Sequence, residues 1–418
     1  MQTGTGFPLP RDIGADLDTW LEPFLDVTGR KTRREMAPLY VRGLLGNGRR
    51  KSIQPMAERL GLGGHDQLHH FISSRAWDDA PLWQVLAEEA DRQLGGVDAV
   101  LVVDDSGMPK KGEFSVGVAR QYCGEVGKVA NCQVLVSLTL ARDEVPLPVG
   151  LRLFLPSEWT DDPDRCEAAG VPETARTAQS KPAIALAEID RLREAGLRFG
   201  CVLADAGFGA SPDFRHGLEA RGLSWAVGIA SAQPLYPITV RLRPARTPTG
   251  RVAKHPQPNR PPCSAAAMLD TQRWRRITWR NGTKGPLSAR FAAVRVRVAD
   301  GPRNAEHTRL PGEQVVWLVG EWRDSGERKY YLCNLPPRTA LRRLAATVKA
   351  RWSCEQAHQQ LKQELGLGDF EGRSWTGLHR HALMTCIAFA YLQHRRLRAA
   401  GRGGKGGPQR TAAAALAA

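Results

Sequence analysis

Apolar residues recur at helical spacing in the first quarter of the chain. In TRREMAPLYVRGLLG, the residues Met36, Tyr40 and Leu44 fall on one side of a helix, because side chains four positions apart share a face. Three further segments have a similar texture: KSIQPMAERL, HDQLHHFISSRAW and DAPLWQVLAEEADRQL. The glycines of GLGG end the first of these. The pattern predicts a helical domain over residues 1–95, in which two short helices around a Gly-rich turn resemble a helix-turn-helix.

From residue 98 the pattern becomes that of strands separated by helices. The strand candidates are apolar runs rich in β-branched residues: VDAVLVVDD, NCQVLVSLTLA, PVGLRLFLP, FGCVLADAGFG and LSWAVGIA. The segments TARTAQSKPAIALAEIDRLREAG and SPDFRHGLEARG lie between them and predict helices. Strands that alternate with helices predict an α/β domain with a mixed, partly parallel sheet.

Between residues 231 and 315 this alternation stops. The Pro-rich stretch RTPTGRVAKHPQPNRPP lies next to strand-like pieces such as RWRRITWR and ARFAAVRVRVA, which predicts a β-rich insertion with a flexible loop. The α/β texture resumes in QVVWLVGEWR and RKYYLCNLP, and two helices follow: TALRRLAATVKARWSCEQAHQQLKQELG and WTGLHRHALMTCIAFAYLQHRRLRAA. We therefore predict an α/β domain split into residues 96–230 and 316–400, an insertion over 231–315 and a disordered tail over 401–418.

The net charge of the chain indicates a class of binding partner. The 418-residue chain has a formal net charge of +16, which favours a polyanionic partner, most often nucleic acid. An Arg-rich soluble protein from a high-GC genome is the alternative explanation. The chain is 42% hydrophobic, so wholesale disorder is excluded.

Cysteine usage and hydropathy bear on the compartment. The eight cysteines form no C-x-x-C pair, so the spacing of a zinc ribbon is absent, and several lie in apolar runs typical of a core. The N-terminus lacks the pattern of a signal peptide, and no apolar run approaches the roughly 20 residues that span a bilayer. We expect a reduced, cytoplasmic protein without a membrane segment.

Acidic residues stand at the predicted ends of two strands. Asp104 and Asp105 end the first strand, and Asp205 ends a later one. Catalytic groups gather at the carboxyl ends of strands in α/β sheets, and carboxylates there are suitable ligands for Mg²⁺ or Mn²⁺. Turn formation or helix capping is the alternative role for each acid taken singly.

A third acid lies on a late predicted helix in a basic neighbourhood. Arg351, Glu355 and Lys362 are spaced close to three helical turns along one face. Glu355 could be an ion-pair partner of Arg351 at i, i+4, or a metal ligand flanked by cations that hold phosphate. With the two strand acids, it could complete a pair of metal sites about 3.5–4 Å apart that clamps a phosphodiester.

Four segments taken together resemble a known family: VVDDSGMPKKGEFSVGVARQYCGEVGKVANCQV, LPSEWTDDP, VLADAGFG and RWSCEQAHQQLKQELGLGDFEGRSW. They are similar to the DDE superfamily of bacterial transposases, and most of all to the insertion-sequence-701 family, over about residues 30 to 398. The resemblance implies a ribonuclease-H-like core interrupted by an insertion before the third acid. It also implies binding of transposon ends, metal-dependent phosphodiester cleavage and strand transfer.

The resemblance assigns the three acids position by position. In the family, the first acid is followed by one residue and then Ser or Thr. Asp104 matches this acid, because Ser106 stands two positions after it, and Asp105 is the alternative. Asp205 in ADAGFG matches the second acid, and Glu355 matches the third. The third acid belongs to a pattern of Tyr, two residues, Arg, three residues, Glu, six residues and Lys. Arg351, Glu355 and Lys362 fit this pattern, but Val348 replaces the tyrosine.

The family implies two Mg²⁺ or Mn²⁺ ions per active site. It also implies double-stranded DNA as partner, both as terminal repeats and as target, a homodimer on paired ends, and a bacterial cytoplasm in which the protein acts at the nucleoid. A catalytically inactive DNA-binding relative and a ribonuclease-H-like nuclease are the alternatives.

Basic residues outside the acidic set predict DNA contacts. In the insertion, Trp274 and Trp279 lie among arginines, a mixture suited to phosphate contact and base stacking. The arginines concerned are Arg273, Arg275 and Arg276. A solvated loop with two core tryptophans is the alternative. Lys110 and Lys111 follow the first acid and could hold a phosphate, or could form an exposed turn.

Overall fold

The computed structural model describes residues 13–244, 256–282, 285–304 and 307–402. The chain divides into two compact units: unit 1 comprises Met1–Phe199 and Trp352–Ala418, and unit 2 comprises Gly200–Arg351. Both combine helices with strands, which confirms the predicted α/β class. The predicted four-part domain division stays a prediction. Most of the Pro-rich stretch and the tail from residue 403 lie outside the described residues.

Unit 1 begins with helices, as the apolar periodicity predicted. They are α1 (Ile13–Asp26), α2 (Lys31–Leu45), α3 (Ile53–Arg59), α4 (Asp66–Ser73) and α5 (Ala80–Leu94). The face of α2 that carries Tyr40 and Leu44 is buried, and α2 packs against α1, α3 and α4. Burial of this apolar face stabilises these short helices, since isolated helices of such length are marginal in water.

An antiparallel sheet follows in unit 1, made of β1 (Gly96–Pro109), β2 (Ala119–Cys123), β3 (Lys128–Arg142) and β4 (Val145–Leu153). β3 is central: it pairs with β1 on one side, and with β2 and β4 on the other. Residues 132–141 of β3 are buried throughout, because both faces of this strand are covered. The run includes polar Ser137 and Thr139, which are themselves buried.

The first strand is longer than its apolar run. We predicted that Asp104 and Asp105 end it, and this was wrong, because β1 continues to Pro109 in register with β3. Asp104 pairs with Ser137 and Asp105 with Val136. Both acids therefore lie inside a strand, where successive side chains point to opposite faces of the sheet.

Three helices complete this part of unit 1: α6 (Ser157–Thr160), α7 (Pro163–Ala168) and α8 (Lys181–Glu194). The pattern predicted that α8 begins near residue 174, but the helix begins at Lys181. Ser180 caps it by accepting a hydrogen bond from the Ala183 N–H at 3.2 Å, and proline follows in the first turn, where it is tolerated.

Unit 2 contains all but the first residue of β5 (Phe199–Ala204). Its helices are α9 (Ala206–Gly209), α10 (Pro212–Ala220), α11 (Ala265–Asp270) and α12 (Leu341–Lys349). Its other strands are β6 (Trp225–Ile229), β7 (Pro234–Pro237), β8 (Leu242–Arg243), β9 (Gln257–Pro258), β10 (Cys263–Ser264), β11 (Arg275–Gly282), β12 (Gly285–Val298), β13 (Val315–Trp322) and β14 (Arg328–Cys333).

The sheet of unit 2 is mixed. β5 and β6 are parallel, and β6, β14, β13 and β12 then pair antiparallel in that order. β12 also pairs with β11 and β7, and β7 pairs with β10. The strands of the predicted insertion thus continue into β13 and β14, which the sequence had assigned to the α/β domain.

The late helix predicted as continuous is broken. α12 ends at Lys349 and α13 (Trp352–Gln363) begins two residues after Ala350, at the boundary between the two units. No Gly or Pro marks this break, so the residue pattern could not reveal it. α13 returns the chain to unit 1, where α14 (Trp375–Arg402) packs on β4 and α2. Among the described helices, none has the length and apolar character needed to cross a membrane.

A buried ion cluster joins α8 to β4 in unit 1. Glu188 accepts hydrogen bonds from Arg152 at 2.7 Å and from Arg191 at 3.0 Å, and only 10% of its side chain is exposed. Burial by itself raises the pKa of the Glu188 carboxyl, but the two guanidinium groups together outweigh burial and hold the pKa below its usual value.

We expect Glu188→Ala to lower the free energy of unfolding by about 3 kcal/mol, because two largely buried arginines then lack their counter-charge. In the parent protein the stabilisation should be complete above the usual carboxyl pKa and be lost as pH falls through the lowered pKa of Glu188. Urea denaturation at neutral and acidic pH measures both effects. The exposed Glu194→Ala on the same helix is the control, and equal effects from both variants would contradict the assignment.

Candidate functional site

Asp104 lies half-buried within β1, on the side of the sheet that α13 covers. A carboxylate oxygen of Asp104, the Sγ of Cys354 and a ring nitrogen of His358 all lie within 4.8 Å of one another. Asp104 Oδ1 also accepts a hydrogen bond from the backbone N–H of Asp105 at 2.8 Å. The first predicted acid therefore faces the helix that carries the third predicted acid.

Asp105 is in a different environment. Its Oδ2 accepts a hydrogen bond from the Lys181 Nζ of α8 at 2.6 Å, and both side chains keep about a third or less of their surface exposed. A lysine at this distance compensates the charge of Asp105. Because the two aspartates alternate across the strand, Asp104 is the one beside α13.

Buried polar contacts fix α13 on the sheet. The Ser137 hydroxyl is hydrogen-bonded to His358 Nε2 at 2.7 Å and donates to the Asp104 carbonyl at 3.2 Å. The Cys354 thiol donates to the Thr139 hydroxyl at 3.5 Å. Our sequence reasoning missed these residues. The signal was present, since Cys354 and His358 are four residues apart, and polar Ser137 and Thr139 alternate within an apolar strand.

Glu355 lies exposed in the first turn of α13, directly after the buried Cys354. A carboxylate in the first turn is favoured by the unsatisfied N–H groups and the positive end of the helix dipole. Asp104 and Glu355 both belong to unit 1, whereas Asp205 belongs to unit 2. Joint binding of metal by all three acids stays a prediction.

Asp205 immediately follows β5, as predicted. It caps α9, because its Oδ1 accepts a hydrogen bond from the Phe208 N–H at 3.2 Å. The tight approach of α9 to β6 explains the second glycine that follows this acid, Gly209. A Cβ at Gly209 would collide with the carbonyl oxygen of Gly228, so only glycine fits there. Both the strand-end position and the capping role considered for this acid are present.

The lysines near the acids already have protein partners. Lys362 donates to the Gly107 carbonyl at 2.8 Å and is ion-paired with Glu125 at 3.0 Å. Lys110 donates to the carbonyls of residues 368 and 370, at 3.2 and 2.8 Å, and burial lowers the pKa of its amine. Lys111 is exposed. Contacts of these lysines with phosphate stay predictions.

Arg351 does not lie on the same helix as Glu355 and Lys362. It lies in the turn between α12 and α13, outside both helices. The single helical face that we predicted for the three residues was therefore wrong for Arg351. The cause is the break after Lys349, whereas Glu355 and Lys362 do share α13.

The arginines of the predicted insertion that we expect to bind DNA lie on and just before β11. Arg273, Arg275 and Arg276 are exposed, and Arg276 forms two hydrogen bonds of 3.2 Å with Asp324. Arg276 and Asp324 are 48 positions apart in the sequence, so counting the charges near Arg276 in the sequence does not reveal this pair.

Both tryptophans of this segment are half-buried. Trp274 packs edge-to-face on Trp322, with ring centroids 5.7 Å apart, and Trp279 packs in the same manner on Phe291 at 5.8 Å. The Lys349 amine lies 4.9 Å from the Trp279 ring centroid. Packing within unit 2 accounts for these contacts, and base stacking by either ring stays a prediction.

Comparisons with known proteins agree with the motifs. A family model described as "DDE superfamily endonuclease" matches residues 23–286, well over half of the chain. A relative from Microchaete diplosiphon, described as "Probable transposase for insertion sequence element IS701", is 30% identical over 190 residues. That match covers 45% of this chain and 47% of the relative, so the chain spans about half the length of this relative.

Two solved structures show weaker likenesses. The piggyBac transposase synaptic complex with hairpin DNA is 10% identical, with a TM-score of 0.41, over 96% of this chain and 76% of that one. The Mos1 strand transfer complex is 12% identical, with a TM-score of 0.17, over 54% of this chain and 60% of that one. TM-scores this low do not establish a common fold.

Removal of one hydroxyl tests the polar contacts beneath α13. Ser137→Ala should lower the free energy of unfolding by about 1–3 kcal/mol, because it removes the 2.7 Å hydrogen bond between the buried Ser137 hydroxyl and His358 Nε2. Chemical denaturation of the purified protein measures the loss. The control is Ser73→Ala, which removes an exposed hydroxyl and should change stability by no more than about 0.5 kcal/mol. Equal stability of the two variants would contradict a structural role for the Ser137 contact.

Proposed function

The chain belongs to the family of DDE superfamily endonucleases, and on this basis we propose that it is a DNA transposase that binds transposon ends and catalyses cut-and-paste transposition. The observation that carries the proposal is the position of Asp104, which faces α13 while the neighbouring Asp105 is paired with Lys181. The likeness to the insertion-sequence-701 transposase supports it.

The proposed site uses Asp104, Asp205 and Glu355 as metal ligands. Carboxylate oxygens are the donors that Mg²⁺ and Mn²⁺ prefer, and the half-buried Asp104 and Asp205 and the exposed Glu355 supply them. The donor chemistry of these carboxylates suits such ions. The chemistry supplied by two bound ions is activation of water or a 3′ hydroxyl, and stabilisation of charge on the leaving oxygen.

The protein's own residues hold the ligands in place. The hydrogen bonds of Ser137 and Thr139 with α13 fix the helix that presents Glu355, and the capped turn after β5 fixes Asp205. Rigid support matters, because small displacements of catalytic groups lower rates strongly. Asp105 acts through its pairing with Lys181 and does not itself hold metal.

We assign the DNA contacts to basic side chains in both units. Arg273, Arg275 and Arg276 bind phosphates, with Trp274 and Trp279 packed beside them. Near the acids, phosphate would be held by three lysines and one arginine: Lys110, Lys111, Lys362 and Arg351. The N-terminal helices read the terminal repeats, and a homodimer holds two paired ends.

Alanine at any of the three acids should abolish cleavage while DNA-end binding persists. Loss of metal ligation removes several kcal/mol of transition-state stabilisation, and about 1.4 kcal/mol corresponds to tenfold in rate. We therefore expect Asp104→Ala, Asp205→Ala and Glu355→Ala to lower the cleavage rate by about three orders of magnitude or more. The assay uses purified protein, Mg²⁺ or Mn²⁺, and DNA that carries the element's own terminal repeats.

The matched control for these variants is Asp105→Asn. It removes a partly exposed ion pair, worth about 1 kcal/mol or less, and should retain cleavage. Cleavage by Asp104→Ala together with inactivity of Asp105→Asn would reverse our choice between the neighbours. End binding without cleavage by the unmodified protein, with either metal, would favour a DNA-binding relative that has lost catalysis.

Neutralising the exposed arginines should weaken the salt dependence of DNA binding. Each lost phosphate contact reduces the slope of log affinity against log salt by about 0.9. We expect simultaneous replacement of Arg273, Arg275 and Arg276 by glutamine to reduce the slope by the equivalent of up to about three phosphate contacts. Arg276 should contribute least, because Asp324 already pairs with it. Salt titrations of binding measure the slope.

The control for the arginine variants is Arg193→Gln, which neutralises an exposed arginine on α8. It should leave the slope unchanged, and preference for terminal-repeat DNA should persist in all variants. An unchanged slope in the triple variant would remove these arginines from the DNA interface.

A further inference from the structure

The cluster beside Asp104 contains donors that a magnesium site does not need. Asp104 contributes an oxygen, Cys354 a sulfur and His358 a nitrogen, and all three atoms lie within 4.8 Å of one another. Cys354 Sγ and His358 Nε2 are 3.5 Å apart. Mg²⁺ and Mn²⁺ take oxygen ligands, whereas thiolate and imidazole select softer cations.

The backbone holds these three side chains together. Cys354 and His358 are one helical turn apart on α13 and therefore share the face that packs on β1 and β3. Asp104 points to the same side of the sheet, because Asp105 takes the opposite side with Lys181. Two rigid elements thus present the donors, and no loop contributes to the cluster.

The donor set suits zinc. Zn²⁺ binds cysteine sulfur at about 2.3 Å, histidine nitrogen at about 2.0–2.1 Å and carboxylate oxygen at about 2.0–2.2 Å, which places neighbouring donors about 3.3–3.7 Å apart around a tetrahedral ion. The three donor atoms, which lie within 4.8 Å of one another, would have to move closer together to reach this spacing. Three protein ligands would leave a fourth position for water.

We propose that Asp104, Cys354 and His358 form a binding site for a thiophilic divalent cation of the Zn²⁺ class. Binding breaks the hydrogen bond between His358 Nε2 and Ser137 and releases the Cys354 thiol proton to solvent, since the thiolate is the ligand. The ion occupies the carboxylate that the proposed function assigns to Mg²⁺. It therefore inhibits cleavage, and this consequence rests on the proposed function.

Cobalt serves as the spectroscopic probe. Purified full-length protein, stripped of metal with a chelator, is titrated with Co²⁺ in the absence of DNA. We expect one equivalent to bind with a thiolate-to-cobalt charge-transfer band and the visible absorption of tetrahedral cobalt, and Zn²⁺ to displace it. Cys354→Ser should lose the charge-transfer band. The control Cys263→Ser removes a half-buried thiol of unit 2 and should keep it.

Two further variants keep the test decisive if Cys354→Ser does not fold. His358→Gln and Asp104→Asn should each lower cobalt affinity at least about tenfold, with melting curves to show that they are folded. Absence of the band in the unmodified protein would overturn the proposal. Persistence of the band in Cys354→Ser, or unmodified affinity in Asp104→Asn, would also overturn it.

The cleavage assay separates this proposal from the proposed function. Zn²⁺ added at fixed Mg²⁺ should inhibit cleavage of terminal-repeat DNA, and excess Mg²⁺ should relieve the inhibition. A protein that cleaves but shows no cobalt band contradicts the thiophilic site alone. A protein that shows the band but never cleaves contradicts the proposed function alone.

Discussion

The packing of α13 on the β1–β3 pair is the constraint on which the candidate site depends. The helix contacts the sheet through polar groups at its centre, where Ser137 and Thr139 receive His358 and Cys354. Buried polar groups need partners, so these contacts admit one rotation and one height of the helix over the strands. That placement brings the helix that carries Glu355 over the strand that carries Asp104.

The same packing gives two adjacent aspartates different chemical environments. A strand sends neighbouring side chains to opposite faces, so Asp104 meets α13 while Asp105 meets Lys181 on α8. One carboxylate is thereby compensated by a lysine, and the other lies among nitrogen and sulfur donors. The difference arises from what covers each face of the sheet and not from the residues themselves, which are identical.

Net charge gives only a partial account of the basic surfaces. Lys110 and Lys362 direct their amines to backbone carbonyls, and Arg276 pairs with a distant aspartate. Arg276 and Lys362, which is ion-paired with Glu125, contribute less to long-range attraction of a polyanion, because an acid compensates each charge. The exposed Arg273 and Arg275 are better placed to meet phosphate, because they lie on the surface of unit 2.

The sequence by itself determined the α/β class, most of the longer helices and strands, and the family, because periodicity and short motifs are local properties. It did not determine the extension of β1 beyond Asp105, which pairing with β3 causes, or the break before Arg351, which no Gly or Pro marks. It also missed His358 as a neighbour of Asp104. Residues 254 positions apart become neighbours only when the helix packs on the sheet, and that packing is decided by burial across the whole unit.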